Sequence, residues 1–247
     1  MRPAADPLLK LVGDPGPVCR CCEADDHSVC ASLTPEGLRG LRVIRGNARV
    51  AAHDVVFDEG QPAEWVYSLT SGTVKLSKLL GDGRRQIVGF VFPGDFFGFA
   101  AGGEGYPYTA EAVTPVGLCR FATPRLAQLR AEAPDLERLL FDRLVADLAL
   151  AQEQMLLLGR MAAREKVAHF LLTLSRRAQR RGDPPSPVAL PMSRQDLADF
   201  LGLTIETVSR TFTQLKRDGL IALPRPELVD LLDSAALRRV AEGGGSD

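Results

Sequence analysis

Residues Ser193–Ile221 read SRQDLADFLGLTIETVSRTFTQLKRDGLI, and this stretch decides the C-terminal fold. Ser193 stands where a hydroxyl can cap a helix, with Asp196 three residues on, close to a capping box. Asp196 to Leu201 then forms a short helix with Leu197, Phe200 and Leu201 apolar. Gly202 supplies the turn, because a residue without Cβ takes positive φ at little cost. Thr204 caps a second helix, and Glu206 in its first turn suits the positive end of the helix dipole. Gly219 ends that helix. Val208, Phe212 and Leu215 recur at steps of four and three and form its inner face, leaving Thr207, Arg210, Thr211 and Gln214 outside. This is helix–turn–helix spacing, and a helix with such an outer face fits the major groove of B-DNA, about 12 Å wide. Arg210 can grip guanine O6 and N7 with two prongs, and Glu206 can accept from cytosine N4. An ordinary helical hairpin shares this outline.

Outward from this element, charge is unevenly spread. Arg160–Arg225 holds twelve basic and six acidic residues, net +6, while the whole 247-residue chain carries −1 and the remainder therefore −7. A basic module joined to an acidic one fits a polyanionic partner; a solvated basic helix face has the same composition. Upstream, Gly182 to Pro191 is proline-rich and reads as a linker or strand edge. Before it, Pro134-Asp135 opens a long helix in which Phe141, Leu144, Leu148, Ala151, Met155, Leu158 and Ala162 recur at alternating steps of three and four. That is a heptad seam, and its even register favours a dimer over a helix packed on its own chain. Asp147 flanks the seam, where like charges from two copies approach.

From about Gly46 to Phe121 the pattern changes to short strands between turns such as Ser71-Gly72, Gly81-Asp82-Gly83 and Pro93-Gly94-Asp95. A small β-barrel or jelly roll is expected there. Thr34-Pro35-Glu36 marks a helix start before it. The chain before that holds four of the five cysteines between residues 19 and 30. So dense a cluster in a long chain more often holds metal than forms disulfides. A CxxC alone also suits zinc or a redox pair, and an isolated Cys119 reads as a buried core thiol.

The run Ser193–Ile221 closely resembles the DNA-binding motif of the CRP/FNR superfamily, and Glu206-Thr207-Val208-Ser209-Arg210 looks like the E-x-x-S-R reading motif of its FNR branch. The resemblance extends over nearly the whole chain and loosens beyond Ile221, where Leu223-Pro224-Arg225-Pro226 makes an unusual wing tip. It implies an α+β architecture in four parts: an arm and cysteine segment (1–33), a cyclic-nucleotide-binding-like β-barrel (34–132), a dimerisation helix (133–162) and a winged helix-turn-helix (163–247). It implies that Glu206, Ser209 and Arg210 read bases in a TTGAT-N4-ATCAA-like palindrome, that Arg194 holds phosphate, and that Thr204 lies at the same interface.

Cys19, Cys22 and Cys30, spaced C-x2-C-x7-C, resemble the N-terminal ligands of FNR-type regulators, and Cys119 stands where their fourth ligand belongs. The implied cofactor is one [4Fe–4S] cluster per chain on those four thiolates, soft ligands that suit iron–sulfur chemistry. The implied cycle is cluster assembly without oxygen, dimerisation, and DNA binding that controls anaerobic or microaerobic genes. Gly81–Arg85 resembles a loop that touches RNA polymerase in this family, and Cys21 and His27 are read as bystanders.

Cyclic AMP is not expected, because no arginine lies between Arg85 and Arg120 to offset a buried phosphate. Neither a catalytic constellation nor a metalloenzyme motif is present, so no enzyme is expected. No apolar run reaches the length of a membrane span, nor does Met1–Gly16 hold an apolar signal core, and a cytoplasmic protein is expected. A regulator of this type answering zinc, haem, nitric oxide or thiol oxidation, or a redox protein carrying a cluster, is the alternative.

Overall fold

The computed structural model describes residues 10–11, 30, 33–100 and 105–244. Cys19, Cys21, Cys22 and His27 lie outside the described residues. The chain divides into two compact units, Met1–Val145 and Ala146–Asp247.

In the first unit, β1 (Lys10–Leu11) and α1 (Pro35–Ile44) precede β2 (Arg45–Val50), β3 (Val55–Phe57), β4 (Trp65–Ser71), β5 (Val74–Leu79), β6 (Arg85–Val91), β7 (Phe96–Phe97), β8 (Thr109–Ala112) and β9 (Val116–Ala122). Then come α2 (Thr123–Glu132) and the start of α3 (Pro134–Arg160). The strands make a five-stranded sheet ordered β1-β2-β9-β4-β7 and a four-stranded sheet ordered β3-β8-β5-β6. The expected barrel is therefore not closed: no strand pairing among the described residues joins one sheet to the other. The sheets instead share one core, with Ala48, Tyr67, Leu69 and Leu118 from one meeting Val74, Val91, Ala110 and Ala112 from the other.

Strand β9 shows the two-residue alternation that places successive side chains on opposite faces. Leu118 enters the core between the sheets, while Cys119 and Phe121 face outward under Leu41 of α1, Leu126 of α2, and Leu136 and Leu140 of α3. Helix α1 begins as its sequence dictates, the Thr34 hydroxyl accepting from the Gly37 amide at 3.2 Å. That hydroxyl also donates to Asp135 at 2.7 Å and so ties α1 to the first turn of α3. That hydroxyl bond, and after it one from the Thr34 amide at 3.0 Å, hold the Asp135 carboxyl below its ordinary range. Gly37 permits the approach, since a Cβ there would lie 2.6 Å from the Asp135 carboxylate.

The second unit continues α3 and adds α4 (Ala163–Arg180), β10 (Val188–Ala189), α5 (Arg194–Leu201), α6 (Ile205–Arg217), β11 (Ile221–Arg225), β12 (Leu228–Leu231) and α7 (Ser234–Ala241). Its three strands form one sheet, ordered β10-β12-β11. Helix α3 ends at Arg160, so Ala162 is not on the seam helix: it takes an extended backbone and caps α4, its amide donating to Glu165 at 2.9 Å. The heptad register outruns the helix because an apolar residue at the right spacing carries no sign of where the backbone turns. Among the described residues no helix is long and apolar enough to cross a membrane.

Leu197 of α5 is fully buried. Leu197→Ala is expected to destabilise this unit by about 2–5 kcal/mol through lost transfer energy and the cavity left behind. Urea unfolding followed by circular dichroism measures it.

Candidate functional site

The helix–turn–helix assembles from the residues read in the sequence. Ser193 Oγ accepts from the Asp196 amide at 3.0 Å, and Asp196 returns the bond to the Ser193 amide at 3.1 Å, closing the capping box. Gly202 ends α5 at φ 62°, the left-handed conformation expected of the turn. The Thr204 hydroxyl accepts from the Thr207 amide at 3.2 Å and caps α6. Val208, Phe212 and Leu215 are buried, which fixes the rotation of α6 about its axis and turns Glu206, Ser209, Arg210, Thr213 and Gln214 to solvent.

Thr211 departs from the expected outer face. It is buried, its hydroxyl bonded to the Thr207 carbonyl at 2.8 Å. The helix period explains this, since 211 lies between 208 and 215 on the inner stripe, and bonding back along the helix satisfies the hydroxyl there.

The exposed face is polar and carries both charges. Glu206 is kept ionised below its ordinary range, first by its own backbone N–H, then by the Thr204 hydroxyl and the nearby charge of Arg210. It therefore presents an acceptor at neutral pH. Arg210 is exposed, its Nη2 3.4 Å from Thr207 Oγ1. Arg194, at the start of α5, is half-buried and stacks its guanidinium over the Phe212 ring at 3.6 Å, which orients the group. The wing, β11 and β12, pairs Ala222 with Asp230 and Arg225 with Leu228, with a register shift between them.

On α3 the expected seam residues Phe141, Leu144, Leu148, Met155 and Leu158 are all exposed apolar side chains, and Ala151 is exposed as well. Val145 and Leu156 are exposed beside them and widen the apolar stripe. A strict heptad count passes over both, because it follows one line rather than the width of a helix face.

Of the four cysteines expected to act together, two are described. Cys119 lies on the central strand of the five-stranded sheet, and Cys30 packs against the same apolar cluster. Neither forms a disulfide. The Cys119 thiol donates to Asn47 Oδ1 at 3.8 Å, Asn47 being its register partner on β2. Thiolates are soft ligands of the kind iron–sulfur centres take, but among the described residues no group of three or more His, Cys, Asp or Glu is placed to hold a metal ion. Cys19 and Cys22 lie outside the described residues.

The space between the sheets holds an aromatic stack. Phe57 and Tyr106 have ring centroids 3.7 Å apart, and Tyr67 and Phe97 5.4 Å. The Tyr106 hydroxyl donates to the Trp65 carbonyl at 2.8 Å, fixing the stack to β4.

A sandwich of two sheets, a long helix with an exposed apolar stripe, and a winged helix–turn–helix with a polar reading face define a DNA-binding regulator. Comparison with known proteins agrees. The model of the Crp-like helix-turn-helix domain matches residues 165–240, and that of the cyclic nucleotide-binding domain matches residues 48–133. The chain is similar to the transcriptional activatory protein AadR of Rhodopseudomonas palustris, 42% identical over 86% of this chain and 88% of that one. It is also similar to the nitrogen fixation regulation protein FixK of Bradyrhizobium diazoefficiens, 40% identical over 95% and 98%. The solved structure of FixK2 from Bradyrhizobium japonicum superposes with a TM-score of 0.74 at 35% identity, covering 80% of this chain and 97% of that one. The chain belongs to the CRP/FNR family of transcriptional regulators. Members of this family are DNA-binding regulators that typically act as dimers, not enzymes.

Proposed function

We propose that this chain is an oxygen-responsive cytoplasmic regulator of the FNR type. In this reading it binds TTGAT-N4-ATCAA-like palindromes as a homodimer, with Glu206, Ser209 and Arg210 reading bases, Arg194 holding phosphate and Thr204 at the same interface. Cys19, Cys22, Cys30 and Cys119 would hold a [4Fe–4S] cluster. When bound, the cluster supplies an oxygen-labile link between the N-terminal segment and the sheets.

One observation carries the reading. Cys119 shares its apolar cluster with Leu136 and Leu140 of α3, the helix that bears the seam, and Cys30 packs against that same cluster. A change in what the two thiols hold is therefore felt by the packing of the dimerisation helix. Asp95 adds a second tie, its carboxylate paired with Arg143 of α3 at 2.6 Å. The exposed apolar stripe of α3 gives a second copy a surface to cover. Such stripes seldom stay in water on a monomer.

The aromatic stack between the sheets and the absence of an arginine between Arg85 and Arg120 argue against cyclic AMP as the signal. The tip of the β5–β6 hairpin, residues 81–84, is exposed and is assigned to RNA polymerase.

Anaerobic purification, with iron and sulfide analysis and a visible spectrum before and after air, tests the cluster. About four irons and four sulfides per chain with absorption that bleaches in air are expected. Cys119→Ser should lose most of the iron while the unfolding midpoint stays near that of the wild-type apo-protein. Zinc or no metal in the wild type would remove the oxygen-sensing reading and leave the DNA-binding assignment standing.

A further inference from the structure

We propose that Gln154 and Lys166 are positioning residues for DNA reading, locking α5 to the last turns of α3 so that the seam sets the spacing of the two reading helices. The inference rests on the dimer-on-palindrome reading above and adds to it the residues that transmit the geometry.

Four contacts, all within the second unit, carry it. Gln154 Nε2 of α3 donates to the Phe200 carbonyl at 2.8 Å. Lys166 Nζ of α4 donates to the Leu201 carbonyl at 3.1 Å and to the Leu158 carbonyl at 3.3 Å. Gly202 lies so near α3 that a Cβ there would come 3.0 Å from Leu158 Cδ2.

The chemistry makes these contacts specific. Phe200 and Leu201 close α5 and Leu158 is near the end of α3, so all three carbonyls are among the last four of a helix, which lack partners within it. A cation at the negative ends of two helices satisfies both at once. Lys166 is buried and meets these carbonyls with no carboxylate beside it among the described residues. Burial lowers its pKa, the mark of a charge held at a desolvation cost. An apolar residue would fill that space without the cost but would leave both carbonyls without the ammonium's bonds. Gln154 adds a neutral bond to the adjacent carbonyl. Because α5 packs on α6, fixing the end of α5 to α3 fixes the reading helix with respect to the segment of α3 that carries Met155 and Leu158 of the seam.

A two-fold dimer presents its reading helices one helical turn of DNA apart, about 34 Å. A rigid connection makes affinity depend sharply on the spacer between half-sites, and a loose one flattens that dependence without touching base reading. The test measures binding of the full chain, in the state competent to bind DNA, to TTGAT–ATCAA duplexes with spacers of three, four, five and six base pairs. Wild type, Gln154→Ala, Lys166→Met and Lys166→Arg are compared, each also for dimerisation by sedimentation. The wild type should prefer four base pairs by about tenfold or more. Gln154→Ala and Lys166→Met should each reduce that preference at least threefold, with dimerisation and the preference for TTGAT over a changed half-site kept. Lys166→Arg, which keeps the cation, should restore most of it. If Lys166→Met does not fold, the half-exposed Gln154 carries the test by itself. A folded Gln154→Ala with the wild-type spacing profile overturns the inference alone. A wild-type protein that binds none of the duplexes, or binds all spacings equally, overturns the palindrome reading and the inference with it.

Discussion

Arg210→Ala is expected to abolish most sequence-specific binding while leaving the protein folded and dimeric. Arg210 is exposed on α6, and among the described residues it meets Thr207 Oγ1 at 3.4 Å through Nη2 and the nearby charge of Glu206, both on the surface of its own helix, so truncation removes little from the fold. A bidentate arginine–guanine contact contributes about 1–3 kcal/mol of discrimination per site. With one contact in each half-site, the affinity of a dimer for its palindrome should fall by roughly thirty-fold or more. The loss should be confined to specific binding. Affinity for unrelated duplex is set by phosphate contacts and counterion release, and should change little at fixed salt. Fluorescence anisotropy at one stated salt concentration, with the consensus palindrome and with duplexes altered at each half-site position, separates the two. The variant should become indifferent to replacement of the guanine and remain sensitive at the positions read by Glu206. An equal loss on specific and unrelated DNA would mean that Arg210 holds phosphate instead. Glu206 offers a complementary check: as an ionised acceptor it disfavours a base edge that also accepts, so Glu206→Gln should broaden the tolerated sequences more than it weakens binding.

The reading element was legible in the sequence almost to the residue, because its signals are local. Ser193, Asp196, Gly202, Thr204 and Gly219 each act within one turn of the backbone they cap or bend, and the structure uses every one of them so. The apolar stripe of α3 was legible for the same reason, up to the point where the helix stops. What failed depended on contacts distant in sequence. Ala162 continued the heptad but lies past the end of α3. Thr211 read as an outer-face residue because its polarity outweighed its position on the helix wheel. Gln154 carries no charge and Lys166 is one of the twelve basic residues of Arg160–Arg225, yet their partners are carbonyls at the ends of helices 35 to 46 residues away, apart from Leu158. Backbone carbonyls leave no trace in a sequence, so such bonds are seen only in the fold. The barrel reading was right about short strands and turns and wrong about closure. Strand pairing across the sandwich edges is a property of the whole topology, not of any one hairpin.

Leu148→Glu is expected to raise the dimer dissociation constant by about a thousandfold or more. Phe141, Leu144, Val145, Leu148, Met155 and Leu156 leave a stripe of apolar surface along α3, and Leu148 at its middle is 58% exposed in the single chain. Covering a leucine of this kind contributes roughly 1.5–3 kcal/mol. In a two-fold seam each chain supplies the same residue to the interface, so every loss is counted twice. Glutamate does more than remove the gain. It brings two carboxylates toward one another in an apolar contact, where an unpaired buried charge costs about 3–5 kcal/mol. Their mutual repulsion also raises the carboxyl pKa above its ordinary value. The sign of the pH dependence follows. The dimer should be weakest near neutral pH, where both groups are ionised, and should recover in part as pH falls through the raised pKa and the charges are lost. Leu148→Ala, which only withdraws apolar area, should weaken the dimer less and show no such recovery. Val43 of α1 is 84% exposed and lies off α3, so Val43→Glu adds the same charge without touching the seam and should sediment as the wild type does. If Leu148→Glu and Val43→Glu sediment alike, the two copies do not meet along this face of α3, and the spacing of the reading helices must be set by another surface.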